Sequence, residues 1–350
     1  MLQSFFSTLA LVFFTAGLAV SGQQPDPGSP STAQSIRVNV QVALKSGVRA
    51  DDLTQQDFTV LDNKEPQAIS SFKLVTPAQE PVEVILLLDE VNSDYNQVMM
   101  QRDGVRHYLR SNGGKLPFPT IVAVLNDHGA QIQKDFSTDG VSLADDLAHF
   151  PMERRELTVG SEWGDFDRVR MSLVALHQIA HIASMEPGRK LVLDFSPGWP
   201  LLSGPRFPMV AGMQKQFFSE IVAFSTQLQQ ANVTLYTINV AAVAQMRETS
   251  YYEGFLKGVS KPSQVQVGNV GLQVLTEQSG GTVEQSSTDV GAMIRKCELD
   301  ASSWYEIGFD PPPADKPDGY HHIEIKLDKP GLKARTRDGY YANPTVDSQR

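Results

Sequence analysis

The sequence predicts a doubly wound α/β domain with a mostly parallel sheet, inserted in or flanked by a small all-β sandwich made from both ends of the chain. Two patterns predict it. Between residues 81 and 300, continuous apolar runs alternate with amphipathic helical stretches, the rhythm of βαβ units and of a parallel sheet covered on both faces. On either side of that region, apolar residues instead alternate one by one with polar ones, as in strands with a single buried face. The length supports both cores: 350 residues with 41% hydrophobic and 20% charged content suit a folded chain of more than one domain.

The chain opens on an apolar run from Phe5 to Val20, broken by Ser7, Thr8, Thr15 and Gly17. That run falls short of the roughly 20 residues of a spanning helix. Ala19 and Ser21 are small, as a cleavage site requires, so residues 1–22 read as a signal peptide and residues 23–34 as a Pro/Gln/Ser-rich flexible leader. Only the α-amino group supplies positive charge ahead of the run; an uncleaved N-terminal anchor is the alternative. A secreted or periplasmic protein without an integral span after signal removal is expected. Cys297 is the single cysteine, which excludes an internal disulfide, a CxxC pair and a lipoprotein anchor near the signal. Its helix-like surroundings favour packing over a reactive thiol. A formal charge of -10 argues against nucleic acid, because nothing would neutralise a run of phosphates.

In residues 35–80, Ile36, Val38, Val40, Val42 and Leu44 alternate as a strand, and Phe58 to Leu61 leads into a tight turn at Asp62-Asn63-Lys64. Ile69 and Phe72 mark a third strand. The α/β region, 81–300, begins with the doubly buried strand Val84 to Leu88. A helix follows over about 96–110 with Val98, Val105, Tyr108 and Leu109 on its apolar side. Then come the strand Pro119 to Leu125, a short edge strand from Ala130 to Phe136 and a short helix from Leu143 to Phe150. The helix over about 167–185 places Val169, Leu173, Leu176, Ala180 and Ala183 on one face and stops at Pro187-Gly188. Strand 190–195, helix 214–230, strand 232–240, helix 272–279, the short strand at Val283 and a helix from Asp289 complete the region. In the C-terminal segment, 301–343, Trp304 to Phe309 and Ile323 to Leu327 alternate, with a final strand over 333–341 and a tail at 344–350. Three strands at each end are too few for separate cores. The expectation is that they pair into one sandwich, with two separate flaps as the alternative.

In an open parallel sheet, ligands bind outside the carboxyl ends of the strands. After the first strand comes Asp89-Glu90-Val91-Asn92-Ser93. A strand ending in Asp-x-Ser-x-Ser before a helix is the start of the metal-ion-dependent adhesion site of von Willebrand factor type A (VWA) domains. The chain resembles the bacterial, acidobacterial-type VWFA-related domain family of exported proteins. Leu53–Val60, Ile85–Asn92, Gly188–Trp199, Glu277–Thr282 and Gly331–Tyr341 carry the likeness. The resemblance implies a VWA-like α/β fold, a protein partner and a divalent cation held at that motif.

The ligand set departs from the family pattern. Asp89 and Ser93 match, but Val91 replaces the middle Ser, and Ser196-Pro197-Gly198 stands where Ser-Asp-Gly would supply a second carboxylate. Thr158 and Ser161 are the only substitutes for the missing Gly-Gly-Thr loop. Mg²⁺ needs near-octahedral oxygen ligation and enough negative charge to offset its dehydration. Asp89 and Ser93 therefore make a degenerate site, expected to hold no cofactor; Asp89 capping the next helix and binding loop amides is the plainer role. His177 and His181 have the spacing of a metal pair, but Gln178 stands where the zincin pattern needs Glu. Hydrogen-bonded, partly buried rings are expected there, and His321 and His322 should point to opposite faces. No phosphate loop, dinucleotide fingerprint or nucleophile elbow is present.

The resulting expectation is a non-enzymatic protein-binding or adhesion-type module, contacting its partner through Asn92, Ser93, Trp163, Ser196 and Trp199 at the carboxyl edge. Trp199 is either an exposed anchor or a cap on the sheet. The alternatives are a cell-envelope hydrolase with an unrecognised site and a structural envelope component that binds through the sandwich.

Overall fold

A computed structural model describes residues 35–44, 50–152, 162–200, 209–240, 250–285, 287–312 and 316–344. The expected signal and leader and residues 345–350 of the tail lie outside the described residues, as do Thr158, Ser161 and most of the Pro-rich loop after Trp199.

The strands before and after the α/β region pair directly. β1 (Ile36–Leu44) lies antiparallel between β12 (Trp304–Phe309) and β14 (Leu332–Arg335), and β4 (Ile69–Val75) closes the far side of β12. In the second sheet, β2 (Phe58–Asp62) pairs with β13 (Gly319–Leu327), flanked by β3 (Glu65–Gln67) and β15 (Gly339–Ala342). Val38, Val40 and Val42 from the first sheet meet Phe58, Val60 and Ile323 from the second in one apolar core. That packing is why every second residue of these strands is apolar. The β2–β3 turn runs through Asn63 and Lys64 at φ 50° and 76°, the doubly left-handed turn whose twist suits a hairpin.

One expectation is corrected here. The single final strand over 333–341 is two strands, β14 and β15, in different sheets. The chain leaves the first sheet at Thr336 and enters the second at Gly339, where a Cβ would meet the His321 carbonyl oxygen at 2.2 Å. The break falls in the run Arg335-Thr336-Arg337-Asp338, which carries no apolar residue and separates the two strands.

The inserted sheet runs β11 (Val283–Glu284), β10 (Val233–Ile238), β9 (Arg189–Phe195), β5 (Val82–Asp89), β6 (Lys115–Asn126), β7 (Gly129–Ile132). A seventh strand, β8 (Ser137–Asp139), also pairs with β6; β7 and β8 are antiparallel to β6 and all other neighbours are parallel. With β8 set aside, the order counted within the insert is 6-5-4-1-2-3, the doubly wound arrangement with its switch point between β5 and β9. Val84 to Leu88 are fully buried because helices cover both faces. On one face lie α3 (Glu162–Met185), α4 (Ala211–Gln230) and α5 (Leu272–Gln278); on the other lie α1 (Tyr95–Arg110), α2 (Gly140–His149) and α6 (Val290–Glu298). β6 starts four residues before the expected Pro119, and α3 five before Asp167.

Polar side chains close several joints. The Lys190 ammonium, fully buried, donates to the carbonyls of Glu186, Pro187 and Gly188 and so ends α3. Arg189 lies 4.9 Å over the Trp304 ring and donates to the Asp300 carbonyl, tying the insert to β12. Cys297 is buried among apolar neighbours, and burial pushes its thiol far above the ordinary range, leaving it inert.

His177 bridges α3 to α4. Its Nδ1 meets Gln227 Oε1 at 2.6 Å and its Nε2 meets a Glu220 carboxylate oxygen. Two acceptors require two N–H donors, hence the imidazolium. Burial opposes that charge, but the hydrogen bonds to Glu220 and Gln227 and the Glu220 charge outweigh it and raise the pKa. A raised folded pKa stabilises fully below the unfolded value and is lost as pH rises through the folded one. Stability should therefore fall as pH rises from the ordinary imidazole value, about 6.5, through the higher folded one, by on the order of 1 kcal/mol or less for so open a pair. Thermal unfolding of His177→Gln should show a shallower decline. His181, expected partly buried, is exposed one turn further along α3 and shares no ligand geometry with it. His321 and His322 do face opposite ways, His321 to Asp62 at 2.8 Å and His322 to Asp338 at 3.2 Å.

Candidate functional site at the switch point

The carboxyl ends of β5 and β9 diverge at Asp89 and Phe195, and the loops that follow carry most of the residues singled out from sequence. Asp89, Val91, Asn92, Ser93, Ser196 and Trp199 are all buried. The Asp89 carboxylate is held by three donors. Oδ1 accepts from the Asn92 backbone N–H at 3.0 Å; Oδ2 accepts from the Asn92 side-chain amide at 2.7 Å and from the Ser196 hydroxyl at 2.9 Å. The same Asn92 amide donates its other hydrogen to Ser172 Oγ on α3 at 2.8 Å. Ser93 Oγ accepts from Gln101 Nε2 at 2.8 Å. Asp89 thus binds loop amides, whereas the cap of α1 is Asp94, which accepts from the Gln97 N–H.

Glu90 turns to the opposite face, as period-two alternation requires. There it pairs with Arg102 at 2.6 Å, and Arg102 also donates to the carbonyls of Phe150 and Pro151. The loop after β9 turns on Gly198, at φ 106°, where an added Cβ would meet the Gln273 side-chain amide at 1.9 Å. Gln273 donates to the Pro197 carbonyl and locks that loop to α5.

Asp194 and Ser172 are members of the cluster that sequence reading passed over. Asp194 sits on β9 on the same face as Asp89, and burial together with the Asp89 charge pushes its pKa well above the ordinary carboxylate range. Both effects disfavour its ionised form, and its Oδ1 has no hydrogen-bond partner among the described residues. One signal for it existed: a carboxylate inside the otherwise apolar strand Leu191 to Phe195. Ser172 lies on the buried stripe of α3 between Val169 and Leu176.

Among the described residues the donor set is a poor match to a divalent cation: Val91 and Pro197 bring no side-chain oxygen, burial and the Asp89 charge disfavour the ionised form of Asp194, and the Asn92 amide already donates to both Asp89 and Ser172. No cluster of three or more His, Cys, Asp or Glu side chains with metal-binding geometry occurs among the described residues.

Four of the five expected contact residues, Asn92, Ser93, Ser196 and Trp199, are thus buried rather than surface groups. Trp199 is 4% exposed and belongs to the apolar cluster under α3 and α4, so of its two roles the structure shows the packed one. Asn92, Ser93 and Ser196 are engaged inside the loops, and the Trp163 side chain lies outside the described residues. Among the described residues, exposed apolar side chains at the start of α1 include Tyr95, 68% exposed, and Met99, 43% exposed, one turn apart, with Met100, 41% exposed, beside them.

No family model matches the chain, and no curated protein matches it. Solved structures do. The SpRpn10 VWA domain aligns with 63% of this chain and 97% of its own, at 10% identity and a TM-score of 0.31. The manganese-loaded TRAP protein of Plasmodium vivax aligns with 79% of this chain and 98% of its own, at 11% identity and a TM-score of 0.34. The pilus adhesin SpaC of Lactobacillus rhamnosus GG aligns with 85% of this chain, at 10% identity and a TM-score of 0.38; the chain spans 49% of that adhesin. At such identities the likeness concerns the fold alone. The α/β domain is VWA-like in its order of elements, on the evidence of its own strand order and register. Among the described residues, no helix is long and apolar enough to cross a membrane.

Proposed function

We propose that this chain is an exported, non-enzymatic protein-binding module whose VWA-like domain works without a cation at its carboxyl edge. One observation carries the reading: the Asp89 carboxylate is already satisfied by the Asn92 amide, the Asn92 N–H and the Ser196 hydroxyl. In place of a metal, an uncharged NH₂ group links carboxylate to hydroxyl and fixes the β5 loop against α3. A rigid loop edge with exposed Tyr95 and Met99 suits a protein partner, since Tyr and Met are enriched in interface cores and one face of a helix presents both. The apolar run from Phe5 to Val20 supports export to the periplasm or beyond.

The test pairs a cation titration with partner capture. Adding Mg²⁺ or Mn²⁺ to about 1,000 times a micromolar Kd would stabilise a cation-binding fold by about 4 kcal/mol; here the unfolding midpoint is expected not to move. Partners captured from envelope extract should be retained in EDTA and lost with a Tyr95→Asp, Met99→Asp variant. Saturable stabilisation by either cation that disappears in Asp89→Ala would overturn the cation-free reading, and retention of partners by the double variant would overturn the assigned surface.

A further inference from the structure

At the opposite pole of the sheet, where β6 begins, a cavity of about 330 Å³ opens between the carboxyl ends of α1 and α6. Its walls are Leu116 and Pro117 with Ser111 and Asn112 of the connecting turn. At its inner end the Tyr108 hydroxyl donates to the Glu298 carboxyl, and both side chains are buried. Two exposed cations line its outer part, Lys115 and Arg295, the Arg295 guanidinium folded back one turn over Gly291, from where the side chain can swing to the mouth. The cavity is therefore polarised along its depth, with an acid inside and positive charge at the mouth.

We propose that this cavity binds a small zwitterion, an α-amino acid or a molecule of that size, with its ammonium group against Glu298 and its anionic group between Lys115 and Arg295. Three observations converge on that class. The volume lies at the small end of the range for ligand pockets. Glu298 receives one phenolic hydrogen bond and, among the described residues, no direct ion pair; Arg295 acts on it only through its field. A buried carboxyl so placed gains most from an ammonium, by charge and by its N–H donors. The two mouth cations then match a carboxylate, Arg295 by a two-pronged contact and Lys115 as a point charge. A plain anion would leave Glu298 facing negative charge, and a plain amine would leave the mouth unused.

Isothermal titration of the full chain at pH 7 with L-serine, L-lysine and L-aspartate, against propionate and propylamine, tests this. Two buffers of different ionisation heat report the protons exchanged. Glu298, with its carboxyl pushed up to about 7 by burial, is part-protonated there, so an ammonium set beside it must release protons and an anion must take them up. The expected result is saturable binding of at least one amino acid with proton release. Affinity should fall about tenfold or more in Glu298→Gln and in Arg295→Ala, while propionate and propylamine bind more weakly than the amino acid. Arg295 is exposed, so its alanine variant separates a lost contact from a lost fold. The proposal is overturned by absence of saturable heat for every amino acid, by an affinity unchanged in either variant, or by proton uptake on binding.

Discussion

Replacing Asp89 by alanine should lower the stability of the chain by about 3–5 kcal/mol, although the side chain touches no solvent and no ligand. Three donors would lose their acceptor together: the Asn92 N–H, the Asn92 amide and the Ser196 hydroxyl, all in a site sealed from water. Each stranded buried donor costs about 1–3 kcal/mol. One compensation reduces the sum, because the Asp89 charge disfavours ionisation of Asp194 and its removal lifts that repulsion. The unfolding midpoint should drop by roughly 10 °C for a domain of this size. Asp89→Asn should cost less, since an amide oxygen still accepts one of the donors. A midpoint for Asp89→Ala within about 2 °C of the parent would show that the cluster does not brace the two loops. The measurement is independent of any cation, so it separates the bracing role from the absence of a metal.

The sequence made the position of this cluster legible and left its chemistry hidden, for a reason that Asn92 illustrates. Val84 to Leu88 read as a buried strand from local pattern, and the switch-point rule then points to whatever follows it. That Asn92 would fold back on Asp89 and reach Ser172 depends on where α3 packs, 80 residues away. The same holds for Trp199, whose burial is decided by α3 and α4 together. Tyr95 drew no attention because, lying just outside the periodic stretch of α1, it had no apolar stripe to belong to. Pairing of β1 with β12 was an inference from strand number, since neither end carries enough strands alone. The break between β14 and β15 had a local signal, the polar run Arg335 to Asp338 before Gly339, but the assignment of the two strands to different sheets depends on their distant partners β1 and β13. Tyr108 and Glu298 were least legible: 190 residues separate them, and Tyr108 reads from sequence as one more apolar position of its helix.

That pair sets up the second large effect, in which Glu298→Gln should stabilise the chain at alkaline pH and not at acid pH. Glu298 is 6% exposed. Burial raises its pKa to about 7, against smaller opposing effects of the Tyr108 hydrogen bond and the Arg295 charge. The folded state therefore keeps a proton that the unfolded chain gives up near pH 4.5. Where the folded state holds more protons, stability falls as pH rises. The contribution is fully present below about pH 4.5, declines between there and about pH 7, and is gone above. At 1.36 kcal/mol per pKa unit the total decline is about 3 kcal/mol. Glutamine cannot ionise and still offers Tyr108 an oxygen, so the variant escapes the decline. Denaturant unfolding at pH 4 and pH 8 should show nearly equal stabilities at the lower pH and an advantage of about 3 kcal/mol for Glu298→Gln at the higher. His177 titrates over part of the same window in both proteins, and its effect cancels in the difference. A variant no more stable than the parent at pH 8 would mean that Glu298 ionises without penalty inside the fold. If an ammonium-bearing ligand fills the cavity, the parent's deficit at pH 8 should shrink on adding it, because the buried carboxylate then has its counter-charge; the variant, with no charge to satisfy, should respond far less.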